Sequence, residues 1–202
     1  MKHMAFQNFS FPQVAQDLGL TLVDSDLFSQ VPPESVRPEF LAQVLEGANL
    51  ASAINTEKAR SEFIIAPVLF ELRRLHAGHL GLFSGIELDA DPARGLNGVC
   101  DFVITKSPRQ HVVTAPLITI VEAKNDNLRG GLGQCIAAMC AAQVLNQTAA
   151  AAVSAVYGVV TTGSAWKFLR LQAAEVTLDL VEYHVESLPK ILGILGHIVE
   201  TA

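Results

Sequence analysis

Two short runs of strand-forming residues constrain this chain most, because each carries a carboxylate where a buried strand excludes charge. They are Gly98-Val99-Cys100-Asp101-Phe102-Val103-Ile104 and Leu117-Ile118-Thr119-Ile120-Val121-Glu122-Ala123-Lys124. Their β-branched and aromatic content predicts two strands. An unpaired buried charge costs several kcal/mol, so Asp101 and Glu122 must each find a partner. Alternation along the second strand puts Glu122 and Lys124 on one side and Ala123 on the other. If the connection through Ser107-Pro108-Arg109-Gln110-His111 makes the two strands antiparallel neighbours, Asp101 joins them. Two carboxylates and an ammonium then converge. Carboxylates that share a site repel unless a cation neutralises them, which a hard divalent ion with oxygen ligands does well.

The rest of the chain supplies elements to surround such a pair. Pro38 opens a segment in which Phe40, Leu41, Val44, Leu45 and Ala48 recur at helical spacing. Thr56 is placed to cap a second helix running towards His76, with Pro67 distorting it from within. Strands are expected at Leu80 to Leu88, Gly98 to Thr105 and Pro116 to Ala123, followed by a helix over Gln134 to Leu145. Further strands are expected at Ala155 to Thr161, Trp166 to Leu171 and Val176 to Tyr183, and a closing helix from Ser187 to Val199. This order predicts an α/β fold, a mixed β-sheet flanked by helices on both faces. Residues 1–33 read as an N-terminal appendage and 34–202 as the domain, because Val31-Pro32-Pro33-Glu34-Ser35 breaks any helix between them.

Composition narrows the function classes. Of 202 residues, 50% are hydrophobic and 17% charged, which supports a well-buried core. No apolar run reaches the ~20 residues a bilayer span needs, and Met1-Lys2-His3-Met4 lacks a signal-peptide pattern, so a cytoplasmic protein is expected. The three cysteines, Cys100, Cys135 and Cys140, sit in apolar segments without paired spacing, which argues against structural zinc. A net charge of -6 argues against a broad nonspecific grip on nucleic acid, so any such surface is local.

The Asp101 strand followed by Glu122-Ala123-Lys124 resembles the core motif of the PD-(D/E)XK nuclease superfamily, with Cys100 where the family name has Pro. The resemblance spans Thr56 to Leu171 by order of elements. It implies a restriction endonuclease-like fold and a Mg²⁺- or Mn²⁺-dependent phosphodiesterase acting on nucleic acid, DNA ahead of RNA. It further implies Glu62, Asp101, Glu122 and the Ala123 carbonyl as metal ligands, with Glu71 the substitute for Glu62. Lys124 would orient or help deprotonate water, and Gln134 would position water or a neighbouring side chain. Because many such nucleases cut as pairs, a homodimer is expected, with the Ala-rich stretches Ala137 to Ala142 and Ala149 to Ala152 as its face.

Blander readings compete at several positions. Glu122 and Lys124 form an ordinary ion pair if their strand end is exposed, worth ~0–1 kcal/mol. Gly130-Gly131-Leu132-Gly133 turns the chain more readily than it cradles phosphate, since no Lys-Ser or Lys-Thr follows. Trp166 and Phe168 are expected in the core rather than as a base-stacking platform. The competing function is a nuclease-fold module that binds or assembles without turnover.

Overall fold

The computed structural model describes residues 5–76 and 78–202, so Met1-Lys2-His3-Met4 lies outside the described residues. Its centre is a mixed sheet of seven strands. In chain order these are β1 (Thr21–Ser25), β2 (Gly81–Asp91), β3 (Leu96–Thr105), β4 (Leu117–Ala123), β5 (Val156–Thr161), β6 (Ala165–Gln172) and β7 (Glu175–His184). Across the sheet they run β1-β7-β6-β5-β4-β3-β2. Pairs β2–β3, β3–β4, β5–β6 and β6–β7 are antiparallel, whereas β4–β5 and β1–β7 are parallel. A parallel pair needs a long crossover. For β4–β5 it is the 21-residue helix α5 (Leu128–Thr148).

Every residue of β4 and β5 is buried, as expected for central strands covered on both faces. One face is covered by α2 (Pro38–Ile54), by α4 (Ala66–Leu75) and by α6 (Leu188–Thr201). Its core includes Ile64, Leu69, Ile118, Trp166, Phe168 and Leu195. The other face holds α5, with a core of Ile120, Cys135, Ile136, Met139, Val160 and Leu171. Trp166 is fully buried and its indole donates to the Gly163 carbonyl at 2.8 Å, as its core assignment requires. Among the described residues, no helix is long and apolar enough to cross a membrane.

The stretch expected as an appendage is, from Ala5 onward, part of this fold. Strand β1 lies beside β7, Phe6, Phe9 and Val14 pack under α5 with the short helix α1 (Gln13–Leu18), and Phe28 enters the opposite core. The Pro-rich break at 31–35 therefore separates two parts of one domain. The Ala-rich run on α5 is spent in the same way. Ala137, Ala138, Ala141 and Ala142 are fully buried inside the chain and offer no face to a second copy.

The helix expected from Thr56 is real but interrupted. Thr56 caps α3 (Glu57–Arg60) by accepting from the Ala59 N–H at 3.1 Å, and a π-helical turn, Ser61–Ile65, then leads into α4. Pro67 explains the widened turn: it has no N–H to return to the Phe63 carbonyl, and its ring crowds that oxygen. The Phe63 carbonyl meets α2 instead. A Cβ at Gly47 would stand 2.3 Å from this oxygen, so only glycine permits the approach. Sequence features thus fix how α3 hangs over the ends of β4 and β5.

Candidate functional site

The backbone ladder between β3 and β4 runs from Thr105↔Leu117 to Phe102↔Val121 and stops there. Beyond it a side chain replaces the backbone acceptor: Asp101 Oδ2 accepts from the Ala123 N–H at 2.7 Å. On the other edge of β4 the pairing with β5 continues to Ala123↔Thr161, and the Lys124 N–H donates to the Thr161 carbonyl at 2.8 Å. The strands β3 and β4 therefore part at the point where the sequence places its carboxylates.

Within this opening, Asp101 lies close enough for its charge to act on the Glu122 carboxyl. Glu122 is fully buried. Its Oε2 accepts from Gln134 Nε2 at 2.6 Å, and Gln134 Oε1 accepts from Lys124 Nζ at 3.1 Å. Lys124, Gln134 and Glu122 thus form one polar chain between β4 and α5. The lysine meets the carboxyl through the amide and makes no direct ion pair with it. Glu122 Oε1 is buried without a hydrogen-bond partner. Burial drives the Glu122 carboxyl well above the usual carboxylate range, the neighbouring Asp101 charge pushes it further, and Lys124 opposes both. The exposed-ion-pair reading of Glu122 and Lys124 fails on this burial.

Helix α5 is shaped to admit the lysine. Asn127 caps it by accepting from the Gly130 N–H at 3.3 Å, so the glycine cluster lies inside its first turns. A Cβ on Gly131 would meet Lys124 Cε at 2.9 Å and Val160 Cγ1 at 2.7 Å. A Cβ on Gly133 would meet the Phe9 carbonyl oxygen at 2.3 Å. The glycines serve close packing of Lys124 and of the N-terminal segment. Cys100 and Cys135 lie close enough to feel the Glu122 charge, but burial first, and that charge second, push both thiols up. They stay protonated and are poor metal ligands.

The sequence-derived set is brought together in part. Asp101, Glu122, Ala123, Lys124 and Gln134 share one site. Glu62 does not join it: it is exposed on the π-helical turn and pairs with Lys58 at 3.1 Å. Glu71 lies buried elsewhere, against Arg74 at 2.7 Å and Arg37 at 3.5 Å. The helical acid whose charge acts on Glu122 is Glu57. Next to it, Arg60 ties α3 to the strand ends, donating to Asn125 Oδ1 at 3.1 Å and to the Thr162 carbonyl at 3.2 Å. Sequence reasoning passed over Arg60 and Asn125. The signal was present: an arginine one turn from a predicted cap, and an Asn directly after the motif lysine.

A divalent ion fits the donors at this opening. The orphaned Glu122 Oε1, the second Asp101 oxygen and the Ala123 carbonyl are hard oxygen donors, and Mg²⁺ commonly takes only one or two protein carboxylates, filling its shell with water and phosphate. Among the described residues, no group of three or more His, Cys, Asp or Glu gathers as a self-sufficient metal cage. Neither a scan against protein-family models nor a search of curated proteins finds a match to this chain.

Proposed function

We propose that this chain is a Mg²⁺- or Mn²⁺-dependent phosphodiesterase of the PD-(D/E)XK kind that acts on nucleic acid, DNA ahead of RNA. The observation that carries the reading is the buried, half-satisfied Glu122 carboxyl beside Asp101, joined to Lys124 through Gln134. A buried carboxyl with one oxygen unpartnered is costly for a purely structural residue. It is understandable as one held ready for a cation.

In this reading Asp101, Glu122 and the Ala123 carbonyl would hold the ion, which would supply water activation and charge neutralisation at the phosphodiester. Asp101 keeps one oxygen on the Ala123 N–H, which fixes the direction of the other. Glu122 would hold the ion as a carboxylate, with the Gln134 amide donating to its Oε2 to fix its position. Lys124 carries an ammonium on a stem packed along Gly131, and its tip can turn from Gln134 towards the attacked phosphate. Glu62 stays outside the ligand set while Lys58 holds it.

The competing reading is a nuclease-fold module without turnover. The net charge of -6 and the missing third carboxylate favour it. The deciding experiment is a cleavage assay on single-stranded and duplex DNA and on RNA, with Mg²⁺ or Mn²⁺, comparing wild type with Lys124→Ala. Metal-dependent cleavage lost in the variant supports the enzyme. Equal inactivity of both proteins on all substrates, in samples shown to be folded, rejects it in favour of the silent module.

A further inference from the structure

On the sheet face opposite α5 lies a cavity of about 710 Å³, bounded by α2, the π-helical turn, α4 and the strands β2 and β3. Its size falls within the ~300–1,000 Å³ of small-ligand sites. The floor is apolar: Phe102, the residue after Asp101, and Phe40 are almost wholly buried in it. At the rim stands Phe70, 62% exposed, a large aromatic left in water on an otherwise amphipathic helix.

The polar wall is built around one carboxylate. Glu71 is 4% exposed and accepts from Arg74 Nε and Nη2 at 2.7 Å each, with Arg37 Nη2 at 3.5 Å on the same oxygen as Arg74 Nε. These hydrogen bonds from Arg74, with the charges of Arg74 and Arg37, hold Glu71 below the usual carboxylate range. Two guanidiniums share one carboxylate, so the wall keeps a net positive charge and unspent N–H donors. Glu62 also borders the cavity, and its partner Lys58 lies outside the lining, so the cationic donors belong to the Arg37 and Arg74 wall alone. A planar guanidinium braced by a buried acid is a preorganised anion receptor.

We propose that this cavity holds one unstacked nucleotide of a single-stranded substrate, its base against Phe70 and its phosphate on Arg37 and Arg74. The proposal rests on the nuclease reading and names its substrate form. An apolar floor, an exposed aromatic at the rim and a cationic wall match the two halves of a nucleotide: base and phosphate. It gives an acidic protein one local pair of guanidinium donors for a phosphate. Stacking is sequence-tolerant, so the site selects single strand over duplex without reading bases.

The test measures fluorescence anisotropy of wild-type protein in EDTA, which blocks metal-dependent cleavage. The probes are a labelled deoxyadenylate single strand, the same strand in duplex, and an abasic strand of equal length. The single strand should bind most tightly. Phe70→Ala should weaken it about tenfold and leave the abasic strand unchanged. Arg37→Ala should weaken both. Arg37 and Phe70 are exposed, so neither change opens the core, and circular dichroism confirms the fold. Duplex preference, equal binding of the abasic strand, no binding, or indifference to Phe70→Ala overturns the proposal. The two readings fail separately. Cleavage that persists unchanged in Phe70→Ala removes this subsite and keeps the enzyme, whereas Phe70-dependent binding by a protein inert with Mg²⁺ keeps the subsite and removes the enzyme.

Discussion

Replacing Glu122 with Gln should remove a pH dependence of stability that this one carboxyl imposes on the metal-free protein. Glu122 is fully buried, its Oε1 lacks a partner, and burial followed by the Asp101 charge raises its pKa well above the ordinary value. In the unfolded chain the same group titrates near ~4.3. Above that pH the native state therefore retains a proton that the unfolded state has lost. Stability must then fall as pH rises, by about 1.4 kcal/mol per pH unit, until the folded carboxyl itself ionises. The loss continues for as long as the folded carboxyl keeps its proton. Gln has nearly the same shape, can still accept from Gln134, and does not titrate. The assay is urea unfolding in EDTA between about pH 5 and about pH 7, taken as the difference between wild type and Glu122→Gln so that all other groups cancel. The difference should grow steadily in favour of the variant. Saturating Mn²⁺ should flatten it, because the ion displaces the proton from the native state. A difference curve without slope would refute the reasoning: Glu122 would then be ionised in the fold, and the account of a neutral carboxyl awaiting a cation would fall.

Two further outcomes follow from the same geometry. Mn²⁺ at a hundredfold excess over its dissociation constant should stabilise wild type by about 2.7 kcal/mol, read as a rise in Tm, and should leave Asp101→Asn and Glu122→Gln unmoved; an equal rise in all three places the ion elsewhere. Gly133→Ala should destabilise by ~1–3 kcal/mol in urea unfolding, since its Cβ would meet the Phe9 carbonyl at 2.3 Å and the gain in helix propensity of ~1 kcal/mol is smaller than the overpacking cost. A stabilised variant would show that the N-terminal segment does not pack on α5.

The parts of the fold that were legible are those whose signal is local. Helix α2 begins at Pro38 as expected, and β3 and β4 match their apolar runs within two residues. The N-terminal strand was not legible, because Thr21–Ser25 has only partly buried or exposed residues and its identity comes from pairing with β7 some 150 residues later. The start of α5 was misread for a different reason. Glycine normally argues against helix, and Gly131 and Gly133 are there because Lys124, Val160 and Phe9 press against the helix, a tertiary fact.

The site divides along the same line. Asp101 and Glu122 lie on strands and Lys124 directly follows one, where a period of two leaves little freedom, so an argument from alternation and neighbouring strands brought them together. The helical acid depends on rotational phase over several turns, and here the phase is broken. The π-helical turn that Pro67 induces changes the residues per turn between Ser61 and Ile65, where Glu62 sits. Glu62 turns to Lys58 and Glu71 to the arginines, while Glu57, ahead of the break, is a helical acid whose charge reaches Glu122. A helix read at 3.6 residues per turn through a proline cannot recover this. The same break borders the space beside α4 that Phe70, Arg74 and Phe102 line, so one proline both detaches the expected third carboxylate and shapes a cavity on the sheet face opposite α5.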